Sequence, residues 1–374
     1  MKIAVNTRLL IKDKLEGIGW FSYETLKRIT QKHPEHQFIF IFDRDFDESF
    51  IFSKNITPVK IAPQSRHPFL WYLWFEISVP KILSRFKADL FFSPDGFLST
   101  KTHIPSVPAI HDINFAHRPE DLPYWVRNYY NYYFPIYAQK AKRIITVSEY
   151  SKSDICNTYK IKPEKIDVVY NGINQIYKPL DEETKKQTIE KITDGKPYFV
   201  FIGALHPRKN VARLIQAFDL FRKETALGFK LVIVGDKMFK NQDIENSYNN
   251  MNFKDDVIFT GRLPHGELHK ILGSAYAMTF VPYFEGFGIP IIEAMACDVP
   301  VITSNVTSMP EVGGDAVLLS DPFSVEYIKN CMVKIANDNE LRNKLIIKGR
   351  ERIKKFSWDK TADRVWNSLE KSIK

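Results

Sequence analysis

Residues 283–296 have the sequence Tyr-Phe-Glu-Gly-Phe-Gly-Ile-Pro-Ile-Ile-Glu-Ala-Met-Ala and follow an apolar run, residues 277–281, that is typical of a buried strand. Pro290 suits the first turn of a helix, where its missing N–H would be unpaired anyway. Gly286 and Gly288 let a ligand approach the backbone closely, and the free N–H groups of a helix N-terminus favour an anion. The stretch therefore predicts a strand, an anion-binding loop and a helix.

The same alternation of short apolar runs and amphipathic stretches extends along the chain, and it predicts parallel sheets covered by helices on both faces. A polar segment, residues 177–196, interrupts it. We predict an α/β protein with two doubly wound, Rossmann-like domains, residues 1–175 and 176–357, facing each other across a cleft. A C-terminal helix, residues 358–374, would cross back to the first domain. The predicted strands are 3–5, 38–42, 90–92, 107–110, 144–147, 167–169, 198–202, 231–234, 257–259, 277–281, 299–303 and 316–319.

Composition narrows the class of protein. Apolar residues make up 44% of the chain and charged residues 26%, which is typical of a globular protein. Neither a secretory signal nor a run of about 18 apolar residues is present, and three widely spaced cysteines fit a reducing compartment, so we expect a cytoplasmic protein. The net charge of +9 favours an anionic partner, whether a nucleotide, an acidic lipid or a nucleic acid.

A cationic motif lies in Gly203-Ala204-Leu205-His206-Pro207-Arg208-Lys209-Asn210, which joins a predicted strand to a predicted helix. Arg208 can bind a phosphate in a bidentate way and Lys209 supplies a compact charge, so the pair suits a diphosphate. An ordinary surface pair is the alternative. Asn210 is expected to cap the following helix with its side chain.

Two glutamates flank the glycine-rich loop that contains Phe287. Glu293, placed in the first turn of the helix, could accept hydrogen bonds from two vicinal hydroxyls such as those of a ribose. Glu285 could do the same for a sugar ring. The alternative is a glycine-rich loop with two capping carboxylates.

This Glu-Gly-Phe-Gly-x-Pro-x-x-Glu-Ala pattern resembles the E-x7-E motif of retaining glycosyltransferases of the GT-B fold, and nearly the whole chain resembles family 4 of that class. The resemblance implies that Glu293 binds the donor ribose and that Glu285 contacts the donor sugar. It implies also that Arg208 and Lys209 neutralise the leaving pyrophosphate. Some members carry a further arginine just after the glycine, where this chain has Ala204.

In the first domain, His111 and Asp112 close the predicted strand 107–110. The resemblance implies that His111 faces the donor sugar, with Asp112 orienting it or the acceptor; a hydrogen-bonded bystander is the alternative. Gly17 and Gly19 are similar to the start of a dinucleotide fingerprint, but the third glycine of that motif is missing. The resemblance implies instead a flexible loop that donor phosphate or acceptor can approach.

Two further patterns complete the predicted site. Gly261 and Arg262 close another strand, where the resemblance implies contact with the donor base mainly through the backbone. Asp43-Arg44-Asp45 imitates a metal-binding DxD motif, but it lies far upstream of the donor motifs. We therefore expect a solvated acidic turn there and predict no metal site.

An aromatic band covers two segments of the first domain. Core packing explains much of it, and the remainder is interpreted as an acceptor platform or a membrane-surface patch. The band consists of Trp71, Tyr72, Trp74, Phe75, Tyr124, Trp125, Tyr129, Tyr130, Tyr132, Tyr133 and Tyr137.

Together with these patterns, the resemblance implies a retaining, metal-independent hexosyltransferase without a cofactor, whose co-substrate is a nucleotide sugar. The resemblance of residues 205–210 and of the His111–Asp112 strand end to mannosyltransferases favours GDP-mannose, and a UDP-hexose is the alternative. The expected acceptor is a glycan or lipid-linked intermediate of surface polysaccharide biosynthesis, with the cytoplasmic membrane surface as a further partner and no nucleic acid. Competing interpretations are a sugar-nucleotide epimerase or phosphorylase, a nicotinamide dehydrogenase, and a non-catalytic protein that binds anionic ligands.

Overall fold

The computed structural model describes residues 1–236 and 242–373, so the final residue of the predicted C-terminal helix lies outside the described residues. The chain divides into two compact units. Unit 1 consists of Met1–Gly172 and Ser357–Lys374, and unit 2 consists of Ile173–Phe356.

The described strands, in chain order, are β1 (Lys2–Asn6), β2 (Gln37–Phe42), β3 (Ile56–Lys60), β4 (Leu90–Ser93), β5 (Ser106–Pro108), β6 (Ile144–Thr146), β7 (Ile166–Val168), β8 (Tyr198–Ile202), β9 (Lys230–Val234), β10 (Val257–Gly261), β11 (Ala277–Phe280), β12 (Val301–Ser304) and β13 (Val317–Ser320).

The described α-helices are α1 (Gly17–Lys32), α2 (Pro68–Leu73), α3 (Val79–Phe86), α4 (Asn114–His117), α5 (Tyr124–Lys140), α6 (Glu149–Tyr159), α7 (Glu182–Thr193), α8 (Val211–Glu224), α9 (Gln242–Asn250), α10 (His265–Gly273), α11 (Ile289–Ala296), α12 (Met309–Gly313), α13 (Val325–Asn337), α14 (Asn339–Arg352) and α15 (Trp358–Lys371). A π-helical segment, Trp74–Ser78, joins α2 to α3, and a 3-10 turn, Pro207–Lys209, precedes α8.

Unit 1 is built on a parallel sheet with strand order β3-β2-β1-β4-β5, and β6 and β7 form a second parallel pair. A single bridge between Ala109 and Ile145 links the two sets of strands. One face of the five-stranded sheet packs on α1 and α15, and the other packs on α2, α3 and α5. The strand order reverses direction between β1 and β4, which is where ligands of doubly wound sheets bind.

The last helix, α15, belongs to unit 1 and is held there by specific polar contacts. The Thr361 hydroxyl donates a hydrogen bond to the Tyr170 carbonyl at 2.6 Å, and the Ser368 hydroxyl donates to Asp167 Oδ2 at 2.8 Å. On its apolar face, Trp358 and Val365 are buried in the core of unit 1.

Unit 2 has a six-stranded parallel sheet with the order β10-β9-β8-β11-β12-β13, which is the strand order of a Rossmann sheet. Its four central strands, β9, β8, β11 and β12, are almost entirely buried, because helices cover both faces of a parallel sheet. On α8, the buried residues Val211, Leu214, Ile215, Phe218 and Phe221 recur at helical spacing. The reversal of strand order falls between β8 and β11.

The predicted α/β class with two Rossmann-like sheets is confirmed, but two local predictions were wrong. Strand β3 was missed, because it lies at the edge of its sheet, contains Pro58 and has several half-exposed residues. Asn210 precedes α8 without capping it with its side chain. Instead its φ is +64°, and its Nδ2 donates to the carbonyls of Val281 at 3.0 Å and Pro322 at 2.7 Å.

Candidate functional site

The two motifs of unit 2 meet at the carboxyl ends of β8 and β11, where the strand order reverses. Arg208 Nη1 donates to Glu285 Oε1 at 2.6 Å and to the Phe284 carbonyl at 3.2 Å. Lys209 Nζ contacts the same Glu285 oxygen. Three residues that were predicted as catalytic are thus brought together across the switch point of the sheet.

The charges of this cluster leave a cationic surplus. Glu285 is only 8% exposed. Burial alone would raise the pKa of its carboxyl group, but the charges of Arg208 and Lys209 outweigh burial and hold that pKa below its ordinary value. Among the described contacts one carboxylate faces two cations, so these three side chains together carry a net positive charge that an anionic ligand can neutralise.

The loops after β8, β9 and β10 are packed together through backbone contacts. Gly235 N–H donates to the Gly261 carbonyl at 3.0 Å, and Arg262 N–H donates to Asp236 Oδ1 at 3.1 Å. Gly203 and Gly235 both have positive φ, and a Cβ on Gly235 would lie 1.9 Å from the Gly203 carbonyl oxygen. The predicted site residues Gly261 and Arg262 therefore lie beside the loop that carries the cationic motif.

The glycine-rich loop leads into α11 as predicted. Gly288 is the N-cap with φ +93°, and Pro290 lies in the first turn of the helix. A Cβ on Gly288 would lie 2.7 Å from Met309 Cε, so the Met309 side chain would have to shift, and the positive φ itself favours glycine. Gly286 is buried, and Phe287 is buried against the Phe356 ring at 5.6 Å.

Glu293 lies in the second turn of α11, so its predicted place in the first turn was wrong. Burial raises the pKa of its carboxyl group to about 8, and the neighbouring Tyr177 hydroxyl opposes that shift. The two glutamates of one motif thus have pKa values displaced in opposite directions, a pattern found where two carboxyl groups serve different roles. Tyr177 was not predicted as a site residue, because it lies in the polar segment, residues 177–196, that interrupts the alternation of strands and helices.

The raised pKa of Glu293 makes the stability of unit 2 depend on pH. Between the ordinary carboxyl pKa of 4.5 and the folded value of about 8, the native state holds a proton that the unfolded state has lost. The free energy of unfolding should therefore fall as pH rises through this window, by on the order of 2–4 kcal/mol from this group. Urea unfolding of Glu293→Gln should show a flatter pH profile than the wild type. Equal profiles for both proteins would contradict the prediction.

His111 lies in unit 1 just beyond β5, and its ring is fixed from two sides. Its Nε2 donates to the Pro94 carbonyl at 2.8 Å, and the Phe21 ring meets it edge-on at 4.9 Å. Burial lowers the pKa of the imidazole, so the neutral form is favoured and Nδ1 is left as an acceptor. Asp112 Oδ1 accepts a hydrogen bond from Asn114 N–H at 3.1 Å. The Pro94 carbonyl, rather than Asp112, therefore orients the His111 ring.

Gly17 and Gly19 lie in the first turn of α1, so the predicted flexible loop was wrong at these positions. A Cβ on Gly19 would lie 3.2 Å from the Leu9 carbonyl oxygen. The glycine therefore allows close packing between the helix and the segment that follows β1.

Sequence reasoning missed an ion pair at the switch point of unit 1. Arg8, just after β1, pairs with Asp95, just after β4, with Nε 2.5 Å from Oδ2. The Arg8 guanidinium also lies 4.2 Å from the centroid of the Phe97 ring. The two charges are 87 residues apart in the chain, and their common position after neighbouring parallel strands was the signal that could have linked them.

The Asp43-Arg44-Asp45 motif is part of the framework of unit 1. Asp43 is 3% exposed, pairs with Arg44 at 2.6 Å and accepts a hydrogen bond from the Ser65 hydroxyl at 2.7 Å, so the expected solvated turn was wrong for this residue. Asp45 is exposed and pairs with Lys60. Within residues 1–236 and 242–373, no three His, Cys, Asp or Glu side chains are grouped so that they could hold a metal ion.

The aromatic band divides into buried and exposed members. Trp74, Phe75 and Tyr137 are fully buried in the core of unit 1, whereas Trp125 and Tyr132 are about two-thirds exposed. No helix in the described part of the chain has both the length and the apolar character that a membrane span requires.

Comparison with known families finds two matches that together cover most of the chain. Residues 182–352 match the family model described as glycosyl transferases group 1. Residues 16–175 match the model described as glycosyltransferase family 4. The residues of the cationic and glutamate motifs all fall within the first match.

Curated relatives include two mannosyltransferases of bacterial O-antigen chains. The chain is 27% identical to O-antigen chain mannosyltransferase B of Escherichia coli, over 96% of this chain and 97% of that protein. It is 28% identical to O-antigen chain mannosyltransferase RfbU of Salmonella typhimurium, over 68% of this chain and 67% of that protein.

Among solved structures, the fold is similar to that of Alr3699/HepE of Anabaena in complex with UDP-glucose. The TM-score is 0.76 at 17% identity, with 99% of this chain and 100% of that chain covered.

Proposed function

The chain belongs to the glycosyltransferases with group 1 and family 4 domains, and we propose that it transfers a hexose from a nucleotide sugar to a glycan or lipid-linked acceptor with retention at the anomeric carbon. The observation that carries this proposal is the cluster of Arg208, Lys209 and Glu285 across the switch point of unit 2. Its surplus positive charge lies where a Rossmann sheet binds phosphates.

In this proposal, each part of the donor has a partner of suitable chemistry. The diphosphate binds Arg208 and Lys209, with the N-terminus of α11 and its glycine-rich loop as a further anion site. Glu293 accepts hydrogen bonds from the two ribose hydroxyls once its carboxyl group is ionised. The backbone around Gly261 and Arg262 contacts the base.

We propose mannose, carried by GDP, as the donor sugar. The support is that two curated relatives, one of them aligned along nearly its full length, are named mannosyltransferases. A UDP-hexose is the alternative donor, because the structurally similar Anabaena protein was solved with UDP-glucose.

The reaction requires stabilisation of a leaving nucleoside diphosphate. As the bond from the anomeric carbon to the phosphate oxygen breaks, negative charge grows on the diphosphate and the sugar becomes oxocarbenium-like. Arg208 and Lys209 stabilise the leaving group, so no metal ion is needed in this proposal. The acceptor hydroxyl attacks from the face that the diphosphate vacates, and its proton passes to the leaving phosphate oxygen. His111 Nδ1 is an acceptor suited to a sugar hydroxyl.

The acceptor and the place of action are proposed from the relatives and from the chain's charge. O-antigen chain relatives support a glycan or lipid-linked acceptor in surface polysaccharide biosynthesis. We place the enzyme in the cytoplasm, peripherally on the inner face of the plasma membrane, which the net charge of +9 supports.

The test of this function is the release of nucleoside diphosphate from a panel containing GDP-mannose, UDP-glucose, UDP-galactose and UDP-N-acetylglucosamine. We expect one donor to be turned over, with equal rates in the presence and absence of EDTA. Activity that disappears with chelator and returns with manganese would overturn the metal-independent mechanism.

The alternatives predict other outcomes of the same assay. A sugar-nucleotide epimerase would convert the donor without any acceptor, whereas a transferase releases nucleoside diphosphate faster when acceptor is added. A non-catalytic anion-binding protein would turn over no donor, and its binding would be steeply salt-dependent and indifferent to Glu293→Ala.

A further inference from the structure

Exposed aromatic side chains in the described part of unit 1 are concentrated on two helices. Phe69 on α2 is 63% exposed, and Tyr124, Trp125 and Tyr132 on α5 are 57%, 66% and 64% exposed. Large aromatic residues usually occur singly on the surface of a soluble protein, whereas a cluster marks an interaction site. The cluster therefore needs a partner that covers it.

Between α2 and α5, Phe69, Trp125 and Tyr132 help to line an aromatic groove with a cavity of about 510 Å³. The groove is lined by His67, Pro68, Phe69, Tyr72, Trp125, Asn128, Tyr129, Tyr132 and Tyr133. Aliphatic side chains are absent from this set, which is dominated by tyrosine and tryptophan. Rings of this kind, with one apolar face and one polar tip, suit the boundary between water and a lipid headgroup layer.

The floor of the aromatic groove is a firm part of the core. Tyr129 is 7% exposed, and its hydroxyl hydrogen-bonds the buried Tyr137 hydroxyl at 2.9 Å. The Trp71 ring meets the Tyr129 ring edge-on at 5.3 Å and stacks on the Tyr130 ring at 5.5 Å. The exposed rings are therefore presented on a preorganised support, and ordering them on a partner requires little further loss of entropy.

The rim of the aromatic groove is cationic. Lys101 Nζ lies 5.5 Å from the centroid of the Tyr72 ring, which lines the groove. Arg66, beside His67, is exposed. In the described part of the chain, neither Arg66 nor Lys101 forms a salt bridge with a carboxylate. Their charge is therefore available to an anionic partner.

We propose that the aromatic groove and the cations Arg66 and Lys101 form the surface by which this chain docks on an anionic phospholipid bilayer. The inference rests on the proposed function, which places the enzyme at the membrane that carries its acceptor. Charge favours a bilayer over a neutral glycan, because a glycan gains only hydrogen bonds from these cations, whereas an anionic leaflet attracts each cation near its surface. Phe69, Trp125 and Tyr132 would enter the headgroup layer, with α5 lying along the membrane.

The test is co-sedimentation of the full chain with phosphatidylcholine vesicles, with and without phosphatidylglycerol. We expect binding to the anionic vesicles, and about a tenfold or larger loss of partitioning in the double variant Trp125→Ala/Tyr132→Ala. The double variant Arg66→Ala/Lys101→Ala should lose about ten- to thirty-fold, and only on vesicles that contain phosphatidylglycerol. The matched control is Tyr327→Ala, which removes a 62% exposed tyrosine from unit 2 and should bind like the wild type.

Several outcomes would overturn the proposal. The proposal is wrong if the wild-type protein does not sediment with anionic vesicles. It is also wrong if the variant that lacks Trp125 and Tyr132 sediments like the wild type. A soluble mannose oligosaccharide that quenches the Trp125 contribution to fluorescence, without vesicle binding, would make the groove a glycan site instead. Donor binding at unit 2, measured on the same proteins, should be unchanged in every variant. If the wild-type protein bound no donor, that result would count against the proposed function, and the result with vesicles would still hold.

Discussion

Replacing Lys209 with alanine should lower the turnover number about 10²–10³-fold, the range seen when one preorganised partner of a developing oxyanion is removed. Lys209 and Arg208 share the carboxylate of Glu285. Without Lys209, the remaining Arg208–Glu285 pair is neutral, so the surplus charge that meets the leaving diphosphate is gone. The turnover number should fall more than the donor affinity, because negative charge on the bridging oxygen grows as the transition state is approached.

Lys230→Ala is the matched control for Lys209→Ala. The Lys230 side chain is 12% exposed and pairs with Asp256 in the same unit, and the Lys209 side chain is 13% exposed. The control therefore removes a similarly buried, carboxylate-paired lysine away from the cluster, and we expect its turnover number to stay near that of the wild type. A Lys209→Ala enzyme as active as this control would show that Lys209 has no part in leaving-group departure.

Gly235→Ala should destabilise unit 2 by at least about 4 kcal/mol, enough to prevent normal folding of a marginally stable domain. The residue has φ +149°, and its Cβ would lie 1.9 Å from the Gly203 carbonyl oxygen. Because this obstacle is backbone, the clash cannot be relieved by a side-chain rotation. The loops after β8 and β9 would have to move apart, and the loop after β8 carries Arg208 and Lys209.

Two other glycines of unit 2 serve as controls for Gly235. A Cβ at Gly228 or Gly266 would meet nothing within 4 Å. Gly266 lies in α10, where alanine is the better helix former, so Gly266→Ala should leave stability unchanged or raise it slightly. Urea unfolding curves of the three variants make the comparison. A Gly235→Ala protein as stable as the wild type would refute the close approach of the two loops.

The sheets were predictable because parallel strands covered on both faces appear as short, continuous apolar runs separated by amphipathic stretches. The edge strand β3 lacks that signal, since its residues are partly exposed and include Pro58. The cationic and glutamate motifs were found because each is continuous in the chain and has a known physical use at a helix N-terminus.

The contacts that join these motifs were less accessible to sequence reasoning. The Arg208–Glu285 pair spans 77 residues and the Arg8–Asp95 pair spans 87, so each contact depends on the strand order of its sheet. Asn210 shows a different limit. Its type is typical of an N-cap, but its amide instead ties the carbonyls of Val281 and Pro322, which come from two other loops. The sequence offers no local signal of such tertiary contacts.

Equilibrium titration of the full chain with GDP-mannose, and with the UDP-hexoses in parallel, tests most directly the claim that unit 2 binds a nucleotide sugar. The account predicts that one donor binds, and that Glu293→Ala weakens its binding about ten- to a hundred-fold because two hydroxyl contacts to a carboxylate are lost. Folded protein that binds no nucleotide sugar, or a Glu293→Ala variant that binds the donor as tightly as the wild type, would contradict it.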